Sequence, residues 1–210
     1  MSRSAGGRVR GAVIAGGEST RFDGRPKGLE LVGGVRILDR LVGVFEEALG
    51  DSPILVANAE DAGTWRPGLA VVPDTRPGNG ALGGIYTAVL AAPAPVVCVA
   101  WDMPFVPAPL LRALADGLAE ADACLPASGG PRGVEPLCGA YGAAAGPAIA
   151  AALDAGDLRA IGFHDRIKVG ILSSMAVRAF GDPAVMFFNV NTSDHLAEAD
   201  ALWRKLASSR

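Results

Sequence analysis

The sequence offers little for holding a metal by thiolate or for closing a disulfide. Among 210 residues there are three cysteines, Cys98, Cys124 and Cys138, an odd number without Cys-x-x-Cys spacing. Cys98 and Cys138 lie in apolar runs, the pattern of buried, reduced thiols. Histidine is scarcer: His164 and His195 are the only two, and neither stands in a catalytic context. Positive charge is not in excess. Nineteen Lys and Arg against 22 Asp and Glu give a net charge of −3, which excludes a general basic field for nucleic acid. Any anion site must therefore be a local cluster. Aromatic residues make up only 6% of the chain. Trp65, Trp101 and Trp203 are expected as packing residues, and Trp101 alone is a candidate stacking platform because it adjoins Asp102. No apolar run is long enough to cross a bilayer. The opening Met1-Ser2-Arg3-Ser4 lacks the apolar core of a signal peptide. With reduced thiols, the expected compartment is the cytoplasm, and no membrane partner is implied. No internal repeat or linker divides the chain, so one domain over residues 1–210 is expected.

Half of the residues are hydrophobic, ample for a large core. Continuous apolar runs, as in strands covered on both faces, occur at Ala12–Ala15, Pro53–Ala57, Leu69–Val72 and Pro95–Ala100, and Ala121–Pro126 also reads as a strand. Between them, Ile37–Leu49, Ala81–Ala92 and Pro109–Leu118 read as helices, the first closed by Gly50. Leu29–Val32 is a short extended piece before the turn Gly33-Gly34. Further on, Val134–Tyr141, Ile167–Leu172 and Met175–Phe180 read as strands, and Ala143–Leu153 and Asp194–Ala207 as helices. Thr192 or Ser193 is positioned to cap the last helix. Strands alternating with helices predict an α/β fold with a mostly parallel sheet. Such sheets bind ligands beyond the carboxyl ends of their strands.

Three predicted strand ends carry chemistry: Asp74, Asp102 and the stretch Val9–Lys27. In that stretch an apolar strand empties at Gly16-Gly17 into a loop with Ser19, Thr20, Arg21, Gly24, Arg25 and Lys27. Glycines let backbone N–H groups approach a ligand, and the basic residues supply charge for phosphate. Two common phosphate motifs fail here. A P-loop needs Gly-Lys-Ser/Thr, whereas Lys27 is followed by Gly28. Gly16-Gly17-Glu18-Ser19 does not fit the dinucleotide fingerprint Gly-x-Gly-x-x-Gly. The loop is a phosphate site of another type.

The pattern Ala-Gly-Gly-x-Ser-x-Arg-Phe-x-Gly-x-x-Lys over residues 15–27 resembles the signature of GT-A-like nucleotidyltransferases, and most of all the molybdenum cofactor guanylyltransferases. The resemblance continues through Asp74, Gly80-Ala81-Leu82-Gly83-Gly84, Trp101-Asp102-Met103-Pro104, Glu135-Pro136-Leu137 and Asn189-Val190-Asn191-Thr192. It implies a three-layer α/β/α Rossmann-like nucleotidyltransferase fold, with a nucleotide-binding part over about residues 9–126 and an acceptor-binding part over about 127–210. It implies transfer of GMP from GTP to molybdopterin, with Mg²⁺ held by Asp102. Ile14, Ala15, Gly16 and Gly17 would meet the nucleotide through the backbone. Arg21 and Lys27 would hold its phosphates, with Asp102 completing the catalytic set. Asp74 would help to fix the nucleoside, and Asn58 competes with Ala57 for a place near the base. Gly80, Gly84, Arg159, Asn189 and Asn191 would face the acceptor. Molybdenum-insertion proteins and apo-molybdoenzymes are implied as downstream partners. Arg159 has a second, purely structural option, a surface ion pair with Asp157 or Asp165. Transfer of CMP to the same pterin, transfer to a sugar or polyol phosphate, and a non-catalytic nucleotide-binding carrier are the alternative functions.

Overall fold

The computed structural model describes residues 8–15, 21–22, 25–92 and 95–208, with the backbone alone at Arg21, Phe22 and Arg25. In chain order the strands are β1 (Arg10–Ile14), β2 (Arg21–Phe22), β3 (Arg25–Pro26), β4 (Leu31–Val32), β5 (Val35–Arg36), β6 (Ile54–Val56), β7 (Val71–Val72), β8 (Val96–Ala100), β9 (Ala123–Pro126), β10 (Cys138–Tyr141) and β11 (Val169–Leu172). The helices are α1 (Ile37–Leu49), α2 (Ala62–Trp65), α3 (Gly80–Ala91), α4 (Ala108–Gly117), α5 (Ala145–Asp154), α6 (Ser174–Arg178), α7 (Pro183–Met186) and α8 (Ser193–Ser208).

Seven strands make one sheet in the order β11-β9-β10-β8-β1-β6-β7. Every pairing in it is parallel except the two made by β10, which runs against both β8 and β9. The apolar runs are continuous because both faces are covered. Val13, Leu55, Val97 and Val99 join the core beneath α1 and α4. Ala12, Ile14, Ile54, Val56, Val96 and Cys98 point the other way, into a second core with α3 and α5. The result is the expected three-layer sandwich. From β1 the chain steps outward to β6 and β7, then returns to β8 on the other side of β1. A crevice therefore opens past the carboxyl ends of β1 and its neighbours, where this topology places ligands.

Three stretches differ from the sequence expectation. Met175–Phe180 is not a strand: α6 covers most of it, because the Ser173 hydroxyl accepts a hydrogen bond from the Ala176 N–H at 3.2 Å and caps a helix. Its apolar residues do not fill a sheet face; Val177 is buried while Met175 is 83% exposed. Only the last part of Val134–Tyr141 is strand, since the Glu135 carboxylate accepts from the Leu137 N–H at 3.2 Å and bends the chain before β10. Leu29 belongs to a 3₁₀ turn, Lys27–Leu29, and the extended piece shortens to β4, which pairs with β5 around Gly33-Gly34. Helix α8 docks on that hairpin. The Gly33 N–H donates to the Asp200 carboxylate at 2.7 Å, and the Arg40 guanidinium lies 3.9 Å over the Trp203 ring. The end of the chain is thereby brought against its beginning.

Gly84 sets how closely α3 approaches β1. A Cβ there would lie 2.6 Å from Ile14 Cγ2, which branches directly from the strand and cannot swing away. Alanine in a helix interior is normally worth about 0.8–1 kcal/mol over glycine, whereas overpacking a tight core costs about 1–3 kcal/mol. We expect Gly84→Ala to be destabilising by about 1 kcal/mol or more in urea denaturation, with the slope unchanged; a rise in the midpoint would show that the layers can separate freely.

Candidate active site

The carboxyl end of β1 is fixed from both sides. The Ala15 N–H donates to the Val56 carbonyl at 2.8 Å, and the Trp101 N–H donates to the Ile14 carbonyl at 3.1 Å. Ile14 and Ala15 are each 2% exposed, so this strand end is backbone-pinned and buried. Gly16 and Gly17, which follow it, lie outside the described residues. Arg21 returns in β2, paired with β3 in a short hairpin, and the Arg21 side chain is likewise outside the description.

The hairpin delivers Lys27 to the crevice. Trp101 sits beneath the turn that follows, so closely that a Cβ on Gly28 would collide with its ring. Trp101 is also 3% exposed and stacks on Trp65, with centroids 5.2 Å apart and planes 23° from parallel. It is a packing residue, not a platform open to a base. Lys27 is 4% exposed, and its ammonium donates to Asn191 Oδ1 at 2.6 Å.

Asp102 follows β8 directly. Burial raises its carboxyl pKa, and the positive charge of Lys27 works against that rise. Among the described residues, one carboxylate oxygen, Oδ1, is buried without a hydrogen-bond partner. Such an orphaned acceptor is unusual in a folded protein and marks a place for a ligand or an ion. Its backbone carbonyl accepts from the Val190 N–H at 2.9 Å, so the residue that ends β8 also anchors the Asn189–Asn191 segment. Among the described residues no group of three His, Cys, Asp or Glu side chains could hold a metal unaided.

Beside Asp102 lies Glu135, whose carboxyl is pushed up by burial and, to a lesser extent, by the negative charge of Asp102; the bond from Leu137 and the charge of Arg132 oppose this. Glu135 and Asn189 line a cleft of about 610 Å³ whose other walls include Ser128, Gly130, Ser174 and Arg178. Sequence reasoning gave no role to Glu135 or Arg178. A charged residue directly before Pro136 and an apolar strand was the available signal for the first, and for the second there was none once α6 had been taken for a strand.

On the other side of β1, Asn58 and Asp74 form one unit. The Asp74 N–H donates to Asn58 Oδ1 at 2.7 Å. The Asp74 carboxylate accepts from the Thr87 hydroxyl at 2.7 Å and from the Arg76 N–H at 3.0 Å. Gly80, at φ +57, opens α3 with no atom of the described residues within 4 Å of where a Cβ would be, whereas Gly84 is buried against Ile14. Arg159 is apart from these residues in its contacts. It is exposed and forms a two-point pair with Asp157 at 2.6 and 2.9 Å, the structural option noted above. That pair holds the Asp157 carboxyl down to about 2. Among the described residues no hydrogen bond or ion pair joins Arg159 to Asn189 or Asn191. Asn189 bonds its own segment, its amide donating to the Phe187 carbonyl at 2.8 Å. Thr192 takes the capping role, its hydroxyl accepting from the His195 N–H at 3.2 Å, and His195 Nδ1 accepts from the Asn191 N–H at 3.3 Å.

The model of the MobA-like NTP transferase domain matches residues 11–167. The chain belongs to this family. It is 34% identical over 193 residues to a probable molybdenum cofactor guanylyltransferase of Pelotomaculum thermopropionicum, covering 91% of this chain and 92% of that one. It is 35% identical over 204 residues to a molybdenum cofactor guanylyltransferase of Cereibacter sphaeroides, covering 94% and 98%. The crystal structure of molybdopterin-guanine dinucleotide biosynthesis protein A from Archaeoglobus fulgidus superposes with a TM-score of 0.77 at 25% identity, over 93% of this chain and 99% of that one.

Within this family member, Thr87 is the buried residue that orders the Asp74 side of the crevice; besides its bond to Asp74 it accepts from the Thr75 N–H at 2.9 Å. Thr87→Val keeps the shape and removes these bonds together with the one shared with the Thr75 hydroxyl at 3.0 Å. We expect a loss of about 1–2 kcal/mol in chemical denaturation; an unchanged midpoint would mean that water replaces the hydroxyl at no cost.

Proposed function

We propose that the protein transfers GMP from GTP to molybdopterin, forming the guanine dinucleotide and pyrophosphate. The reading is supported by membership of the family and by the names of the relatives, which match over nearly their whole length. One structural observation carries it: a nearly buried lysine exerts its charge on a carboxylate that follows β8 and has an oxygen without a partner among the described residues.

In this reading the triphosphate lies over the end of β1, between the backbone of Ala15–Gly17 and the side chains of Arg21 and Lys27. The acceptor enters from the 610 Å³ cleft, past Asn189 and Glu135. A terminal phosphate oxygen of molybdopterin attacks the α-phosphorus; the new O–P bond forms as the bond to the β-phosphate oxygen breaks, and pyrophosphate departs. The attacking phosphate is already ionised at neutral pH, so no strong general base is required. The protein's tasks are alignment and charge compensation. Lys27 and Arg21 meet charge that accumulates on the leaving pyrophosphate. Asp102 has the hard oxygen chemistry that suits Mg²⁺, which commonly takes one or two carboxylates together with phosphate oxygens. When bound there, the cation would neutralise phosphate charge. Asp74, tied to Asn58 and Thr87, orients the nucleoside side.

Base choice separates this function from its neighbours. A thermal-shift panel of GTP, CTP, ATP and UTP with Mg²⁺ should give its largest rise with GTP, because a ligand confined to the folded state must stabilise it. Preference for CTP would replace guanylyl by cytidylyl transfer. Pyrophosphate release should require both GTP and molybdopterin; release from no nucleotide would leave only a binding protein. Lys27→Ala and Asp102→Asn should each lower turnover by roughly 10²-fold or more, by analogy with lost transition-state donors, while the fold persists by circular dichroism. Full activity in Asp102→Asn would remove that carboxylate from the mechanism.

A further inference from the structure

Asn191 was expected among the acceptor contacts, yet its amide oxygen already has an occupant. Lys27, 164 positions earlier, donates its ammonium to that oxygen at 2.6 Å. The lysine is 4% exposed. A buried ammonium with three protons to donate requires partners, and leaving it without them is costly. Asp102 contributes opposite charge but is not hydrogen-bonded to it; among the described residues its Oδ1 has no partner. The hydrogen bond that fixes the direction of Lys27 among the described residues is the one it donates to Asn191 Oδ1.

Asn191 is in turn delivered to a fixed point. On one side the Val190 N–H donates to the Asp102 carbonyl at 2.9 Å. On the other, Thr192 caps α8 through both its hydroxyl and its carbonyl, which accept from the His195 and Leu196 N–H groups. The Asn191 N–H itself donates to His195 Nδ1, whose ring packs edge-on against Phe188 at 5.8 Å. Behind these contacts α8 is docked on the β4–β5 hairpin through Asp200 and Trp203.

The choice of residue is informative. Aspartate has the same size and would bind an ammonium more strongly, but it would cancel the charge. Asparagine orients the ammonium and leaves its charge whole. A lysine meant to meet phosphate needs that combination. We infer that Asn191 is a positioning residue for Lys27: it acts on the phosphates of the nucleotide through that lysine, and not by contact with the acceptor. The inference rests on the reading that Lys27 meets the triphosphate.

Two measurements test it. The first needs no substrate. In the free protein, acylation of Lys27 by acetic anhydride, followed by peptide mass spectrometry, should rise several-fold in Asn191→Ala relative to wild type and to Asn189→Ala. Unchanged labelling means that the lysine does not depend on Asn191, and the inference fails whatever the enzyme's substrates are. The second uses the nucleotide that gives the largest thermal shift, as its non-hydrolysable α,β-methylene analogue, without acceptor. Asn191→Ala should weaken binding about tenfold, Lys27→Ala more, and the double variant no more than Lys27→Ala alone, the non-additivity expected of residues acting as one unit. Asn191→Asp, which keeps the shape, should also weaken binding, because it neutralises the charge. In turnover, the KM for the acceptor should stay near the wild-type value in Asn191→Ala. Unaltered analogue affinity with a raised acceptor KM would return Asn191 to the acceptor side and overturn the inference. Wild-type preference for a nucleotide other than GTP would revise the proposed function while leaving this coupling standing.

Discussion

Burial of one ammonium group organises the active-site region. Lys27 lies near the start of the chain, on a turn packed over Trp101, and is almost wholly withdrawn from water. Such a charge persists only where the surrounding structure answers it. The answers come from two distant places: Asp102 after β8 supplies charge, and Asn191 before α8 supplies a directed oxygen. The folding of the sheet, the docking of α8 and the shape of the phosphate site are therefore one problem with one solution. A fault in any of the three would leave a buried cation poorly met.

The sheet itself follows from simpler rules. Runs such as Pro95–Ala100 are apolar at every position because α1 and α4 cover one face and α3 and α5 the other. This made the strands and the long helices legible in the sequence. Short elements were less so. At Met175–Phe180 a serine cap outweighed the strand-forming look of Met175 and Val177, and local capping does not register in a hydrophobic pattern. The chemical residues divided in the same way. Asp102 and Lys27 stood out because strand ends and a glycine-rich basic loop are recognisable motifs. Glu135 stood in a motif but gained no role, since its meaning depends on Asp102, whose influence only the folded chain supplies. Arg159 illustrates the reverse case: a basic residue that resemblance assigned to the acceptor carries a local pair with Asp157 two residues before it.

The two sides of the crevice are built on different principles. On the Asp74 side, an aspartate, an asparagine and a threonine satisfy one another through neutral and charge-assisted bonds. That side is complete in the free protein. On the Asp102 side, an oxygen has no partner among the described residues and two carboxyl groups are raised by burial. That side is poised for positive charge arriving from outside. The asymmetry agrees with a nucleotide whose sugar and base need orientation while its phosphates need neutralisation.

The reversed strand β10 has an architectural consequence. In a purely parallel sheet, only residues that follow strands reach the carboxyl edge. Because β10 runs the other way, the residues that precede it arrive at that edge, and Glu135 is among them. One inverted strand thus lets the crevice draw on an inbound segment as well as outbound ones. An inbound segment is a surface distinct from the outbound loops, one on which a second ligand could be selected.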